Sequence, residues 1–109
     1  MRRTEVWTAA SGSSYGGKPR PVVIVQDDLF SATNSITVCP FTTDSTDVPL
    51  IRPLIASSTD NGLRQPSRLM VDKLNTMRRD QLGERLGKLS NEDMLKLERS
   101  MVVFLGLAR

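Results

Sequence analysis

Arg20 stands between two prolines, Pro19 and Pro21, at the head of the apolar run Val22-Val23-Ile24-Val25. The prolines hold the backbone extended around it and bar a helix. The β-branched run behind it predicts a strand buried on both faces. An arginine fixed at the mouth of such a strand can offer its guanidinium fork to a phosphate. A second apolar stretch, Val38-Cys39-Pro40-Phe41, ends on Thr42 and delivers a hydroxyl in a similar position. As residue types alone, the two also read as a solvated strand-end charge and a turn threonine.

The composition removes most other chemistries. The 109 residues include no histidine and one cysteine, Cys39. Ser-His and Cys-His nucleophile pairs are therefore excluded, as is an ordinary zinc site. Asp27 and Asp28 could hold magnesium, but adjacent aspartates after Gln26 fit a turn better. A lone cysteine rules out an internal disulfide and fits a reducing cytoplasm. No apolar stretch reaches membrane-spanning length, and the basic start Met1-Arg2-Arg3 has no apolar run behind it to make a signal peptide. The formal charge is +3. Its excess concentrates in Arg64, Arg68, Lys73, Arg78, Arg79, Arg85 and Lys88, which predicts a basic stripe that draws polyanions.

Strands are expected at residues 5–9, 22–25, 35–41, 50–55, 67–74 and 85–89, with Pro53 demoting the fourth to an edge. The Gly- and Ser-rich stretch 11–18 predicts a loop or lid that carries Tyr15, an aromatic able to stack on a base. A short helix is expected at 78–82, stopped by Gly83. Ser90, with Asp93 three residues on, predicts the start of a longer one. Met94, Leu97, Met101 and Phe104 or Leu105 then recur at helical spacing, and Gly106 ends the helix. Strands and helix segregate along the chain, so the expected fold is α+β: one domain over 1–109, a small antiparallel barrel with a C-terminal helix.

In this order the segments resemble the MazF/PemK (also Kid) family of toxin endoribonucleases from toxin–antitoxin systems. Arg3-Thr4-Glu5-Val6-Trp7 resembles the family's Arg-Gly-Glu-Val-Trp opening, with Thr4 in place of glycine. The stretch Lys18-Pro19-Arg20-Pro21 through Gln26-Asp27-Asp28 is similar to its Arg-Pro strand. Val38-Cys39-Pro40-Phe41-Thr42-Thr43 is similar to its Val-Ala-Pro-Leu-Thr-Ser strand. Ser67-Arg68-Leu69-Met70-Val71-Asp72-Lys73-Leu74-Asn75-Thr76 lies where the family has Ser-Val-Val-Leu-Leu-Asp-Gln-Ile-Arg-Thr. Asn75 replaces the arginine of that motif, and Met70 stands where some relatives carry a functional one. Gly87-Lys88-Leu89-Ser90 and Phe104-Leu105-Gly106-Leu107 complete the match.

The resemblance implies an SH3-like barrel that forms a homodimer, cuts single-stranded RNA without metal or cofactor, arrests growth and is neutralised by an acidic antitoxin. It places catalysis on Arg20 and Thr42. It places RNA contacts on Tyr15, Lys18, Gln26, Ser67, Lys73 and Thr76. The chemistry is consistent, because RNA carries its own nucleophile, the 2′-OH. An enzyme need only align that oxygen with phosphorus and stabilise the phosphoryl charge. Asp72 is the candidate general base and Glu5 a poorer one, since strand-start glutamates usually pair with nearby cations. Two alternatives keep the fold and drop the reaction: a toxin that poisons DNA gyrase by protein binding, and a plain nucleic-acid-binding barrel.

Overall fold

A computed structural model describes residues 1–10 and 18–107. Within them the chain runs β1 (Glu5–Ala9), β2 (Arg20–Ile24), β3 (Ser35–Thr42), β4 (Leu54–Ile55), β5 (Ser67–Leu69), β6 (Asn75–Arg78), β7 (Leu82–Lys88) and α1 (Asn91–Phe104). The strands pair antiparallel in the order β4-β5-β3-β2-β1-β7, and β6 joins the first half of β3. This is a curled half-barrel with one terminal helix, the α+β arrangement expected.

The β-branched run explains why β2 lies near the centre of that order. Val23 and Val25 enter one buried cluster with Val6, Cys39, Phe41, Leu69, Met94 and Leu97. Val22 and Ile24 enter a second, with Ala9, Ile36, Val38 and Leu82. A strand buried on both faces can use this alternation because successive side chains point to opposite sides. The helix begins as expected, with Ser90 Oγ accepting from the Asp93 N–H at 3.1 Å. It buries Met94 and Leu97, but its last turn leaves Val103, Phe104 and Leu105 about half exposed. The expected apolar stripe thus leaves the core at its C-terminal end.

Three element boundaries differ from expectation. Residues 50–55 yield only Leu54–Ile55 as strand, because the Ile51 and Arg52 N–H groups turn back to the Val48 carbonyl. The run 67–74 breaks after Leu69 and passes through a 3₁₀ turn, Val71–Lys73, into the unforeseen β6. The helix expected at 78–82 shortens to a 3₁₀ turn, Arg79–Gln81, and β7 starts directly behind it.

Two backbone positions are tightly constrained. Thr4 holds φ at 83°, where a β-branched residue is strained and glycine is not. It bridges two elements there: its N–H donates to the Ile24 carbonyl and its carbonyl accepts from Leu89. At the far edge the 57–62 loop crosses β7 so closely that a Cβ on Gly87 would lie 2.1 Å from the Asp60 carbonyl oxygen. The Lys88 N–H donates to that same oxygen at 2.9 Å.

Candidate active site

The β2–β3 register pairs Val22 with Pro40, Val23 with Cys39 and Ile24 with Val38. Carried two residues toward the open end, it sets Arg20 across from Thr42. Arg20 also pairs with Ala9 of β1, and Thr42 with Arg68 of β5. The arginine is therefore anchored to β1 at the end of a strand that, one turn of the pleat further in, is paired on both sides. Arg20 and Thr42 line one pocket of about 290 Å³. Phe41, Val22, Met70, Leu74 and Met77 supply its apolar walls, and Lys73 and Asn75 its remaining polar groups. Thr42 Oγ1 accepts from the Asp44 N–H at 3.1 Å, a bond that leaves the hydroxyl hydrogen able to donate.

The pocket carries two cations, Arg20 and Lys73, and no carboxylate. Asp72 lies outside its lining. Both of its oxygens are taken by Arg52, from Nε and Nη2 at 3.1 Å each. Those hydrogen bonds, joined by the charges of Arg52 and Lys73, hold the Asp72 carboxyl below the usual range. A carboxylate so bound is a weak proton acceptor, which speaks against the general base expected there. Glu5 is likewise committed, accepting from Trp7 Nε1 at 3.0 Å and facing Arg85 at 3.2 Å. Partial burial raises its carboxyl, but the bonds from Arg2 and Trp7 outweigh that and hold it low. Burial pushes the Cys39 thiol up to about 12, so it offers no nucleophile.

The other expected RNA contacts divide. Lys73 is brought to the pocket. Lys18 is exposed two residues before Arg20 but is not in the lining, and Tyr15 lies outside the described residues. Gln26 sits at the opposite end of β2. Its amide donates to the Phe30 carbonyl at 3.1 Å and accepts from the Thr37 N–H at 2.9 Å. Thr76 shares a 2.7 Å hydrogen bond with Thr37 in the β3–β6 ladder. Ser67 is buried, and its hydroxyl donates to the Gln65 carbonyl at 3.0 Å. These three serve the fold and do not line the pocket.

The expected basic stripe is also broken up. Arg79 donates to the carbonyls of Ser31 and Thr33, Arg78 pairs with Asp80, and Arg85 with Glu5. Asp27 caps the 3₁₀ turn Asp28–Phe30 by accepting from Leu29, and Asp28 accepts from the Arg3 N–H. Among the described residues, no three His, Cys, Asp or Glu side chains converge on one point. No helix among them is long and apolar enough to cross a membrane.

The family model for the PemK-like, MazF-like toxin of type II toxin–antitoxin systems matches residues 2–105. This chain belongs to that family. A curated relative, the probable endoribonuclease MazF of Mycolicibacterium smegmatis, is 50% identical over 108 residues, covering 99% of each chain. Among solved structures, a mycobacterial endoribonuclease in complex with its cognate antitoxin superposes with a TM-score of 0.81 at 22% identity, over 100% of this chain and 98% of that one. The Mycobacterium tuberculosis toxin MazF-mt6 gives 0.80 at 24%, over 96% and 99%. At these identities the structures speak for the fold, the PemK/MazF half-barrel. Within this PemK/MazF chain, sequence reasoning passed over Arg52 and Met77. The first was hidden in a segment read as strand, and the second in a strand not foreseen. The alternation of Met77 with the exposed Thr76 and Arg78 is the signal that could have revealed β6.

Proposed function

We propose that this chain is the endoribonuclease toxin of a type II toxin–antitoxin pair, cleaving single-stranded RNA in a sequence-specific manner at the Arg20–Thr42 pocket. The observation that carries the reading is the convergence of Arg20 and Thr42 from facing strands on one pocket. The 50%-identical relative named as an endoribonuclease supports the activity. The RNA 2′-oxygen attacks phosphorus, the bond to the 5′-oxygen breaks, and the 2′-OH proton is lost while the departing oxygen gains one. Arg20 holds the phosphoryl oxygens with its fork, and the Thr42 hydroxyl donates to a non-bridging oxygen. Lys73 and Asn75 flank the substrate, with Lys18 on the approach. Because RNA supplies the nucleophile, the reaction needs neither metal nor cofactor.

The active form is a homodimer that covers the exposed apolar end of α1, around Phe104 and Leu105. The partner that silences it is an acidic antitoxin, as supported by the relative solved with its cognate antitoxin. It acts in the cytoplasm, where messenger RNA is found. The gyrase-directed alternative gives the Arg20–Thr42 pocket no role.

The deciding experiment incubates purified protein with mixed RNA, with and without EDTA, and maps the ends. Cleavage in EDTA leaving 2′,3′-cyclic phosphate and 5′-OH ends is expected, from a species that sediments as a dimer. Intact RNA, or cleavage only with added metal, overturns the reading.

A further inference from the structure

We infer that Arg52, outside the pocket, is the positioning residue that sets the two walls of the Arg20–Thr42 site against each other. The inference rests on the ribonuclease reading and states how that site is held.

The side chain of Arg52 is 16% exposed and that of Asp72 24%. Its forked bond to Asp72 grips the 3₁₀ turn Val71–Lys73. That turn leads straight into Lys73, Leu74 and Asn75, which form one wall of the pocket. The other wall is reached through the main chain. The Arg52 carbonyl accepts from Arg68 Nη1 at 3.2 Å, and Arg68 pairs with Thr42 across the β3–β5 ladder. Arg68 also meets Asp47 at 3.6 Å, in the loop that follows Thr42. Asp44 of that loop is held by the Thr46 N–H at 2.8 Å and the Thr46 hydroxyl at 2.7 Å. Its own N–H is the one donated to the Thr42 hydroxyl.

Backbone bonds lie along the same seam. The Val71 N–H donates to the Ile51 carbonyl at 3.1 Å, and the Leu69 N–H to the Pro53 carbonyl at 3.0 Å. The bend that cut the expected strand at 50–55 short is thus what carries Arg52 to its place. A lysine there would keep the charge but lose the fork, and only the fork fixes the turn's orientation as well as its distance. An ion pair this shielded adds little net stability over well-packed apolar residues. Its contribution here is geometric.

Two roles for Asp72 make opposite predictions about Arg52. If Asp72 were the base, freeing it from Arg52 would improve it. If it is the handle by which Arg52 holds the turn, losing either partner should do equal harm. The test compares wild type with R52A, R52K, D72N and R52A/D72N in single-turnover RNA cleavage across neutral pH. Hydrogen exchange at the Val71 and Lys73 amides is followed alongside.

Positioning predicts a fall of about 10²-fold in cleavage rate for R52A, the scale of a small misplacement of reacting groups. D72N should fall equally, the double variant no further, and R52K should stay impaired. RNA affinity should change far less than rate, and the shape of the pH profile should not change. The Val71 and Lys73 amides should exchange faster in each variant while Val23 is unaffected. The inference is overturned if R52A cleaves at the wild-type rate, if the losses add, or if D72N erases the acid limb of the profile while R52A does not. Should R52A fail to fold, R52K and D72N carry the comparison. A wild type that cuts no RNA sinks the ribonuclease reading instead, and the amide exchange still decides whether Arg52 holds the turn.

Discussion

At one end of the β2–β3 pair, Arg20 and Thr42 line a pocket; at the other, Gln26 and Thr37 are bonded to each other and to the next turn. Both ends carry polar side chains from adjacent strands, and the family resemblance assigned roles to Arg20, Thr42 and Gln26 alike. The difference lies in what surrounds them. The Gln26 end is a tight connection whose backbone groups need partners, and the amide supplies them through Phe30 and Thr37. Arg79 does the same nearby for the Ser31 and Thr33 carbonyls. The Arg20 end opens between β1, β3 and the 71–75 segment, where side chains can meet a ligand. Polar residues there are positioned by the sheet, whereas at the closed end they position it.

The contrast can be broken by exchanging the effects of mutation. Arg20→Ala and Thr42→Ala should each lower RNA cleavage by about 10²–10³-fold, roughly 3–4 kcal/mol of lost transition-state stabilisation. Their thermal unfolding should match wild type. A variant that cleaves normally removes its residue from the assignment. Gln26→Ala should behave in the opposite manner. It strands the Thr37 N–H and should cost about 1 kcal/mol of stability, or roughly 4–8 °C in Tm, with cleavage of the folded protein unchanged. Loss of cleavage without loss of stability would return Gln26 to the site. The smallest effect belongs to a position outside the Arg20–Thr42 pocket and the Gln26–Thr37 bond. Thr4→Gly relieves a left-handed conformation and should raise stability by up to about 1 kcal/mol, read as a higher urea midpoint. No gain would mean that the Thr4 side chain offsets the strain.

The reading from sequence succeeded where local rules dominate. Pro19 and Pro21, the β-branched run after them, and the Ser90 cap each act within a few residues, and each stands where expected. The placement of Arg20 and Thr42 at one pocket was legible for the same reason, because proline and strand ends fix where they must lie. What stayed hidden depends on long-range pairing. Thr76 and Ser67 could not be told from ligands until Thr37 and the Gln65 carbonyl came beside them. Asp72 looked like a base until Arg52, twenty residues earlier, closed on it. The basic stripe was likewise only partly legible, since a list of arginines does not show which ones are tied to carbonyls or carboxylates. Thr4, standing in the place of the family's glycine, was an irregularity visible beforehand, and its positive φ gives the reason for that glycine.

The loop laid over Gly87 also governs how this protein can meet other chains. A seven-residue strand at the end of a sheet ordinarily invites a neighbour to add on, strand by strand, into an aggregate. Here the Asp60 carbonyl takes the outward Lys88 N–H, and the register to β1 slips on both sides of Trp7. Exposed Glu84 and Arg85 line the stretch between. Sheet extension stops at that edge. The proposed homodimer would then use side-chain surfaces such as the apolar end of α1, which can select a partner where a bare ladder of amides would accept any.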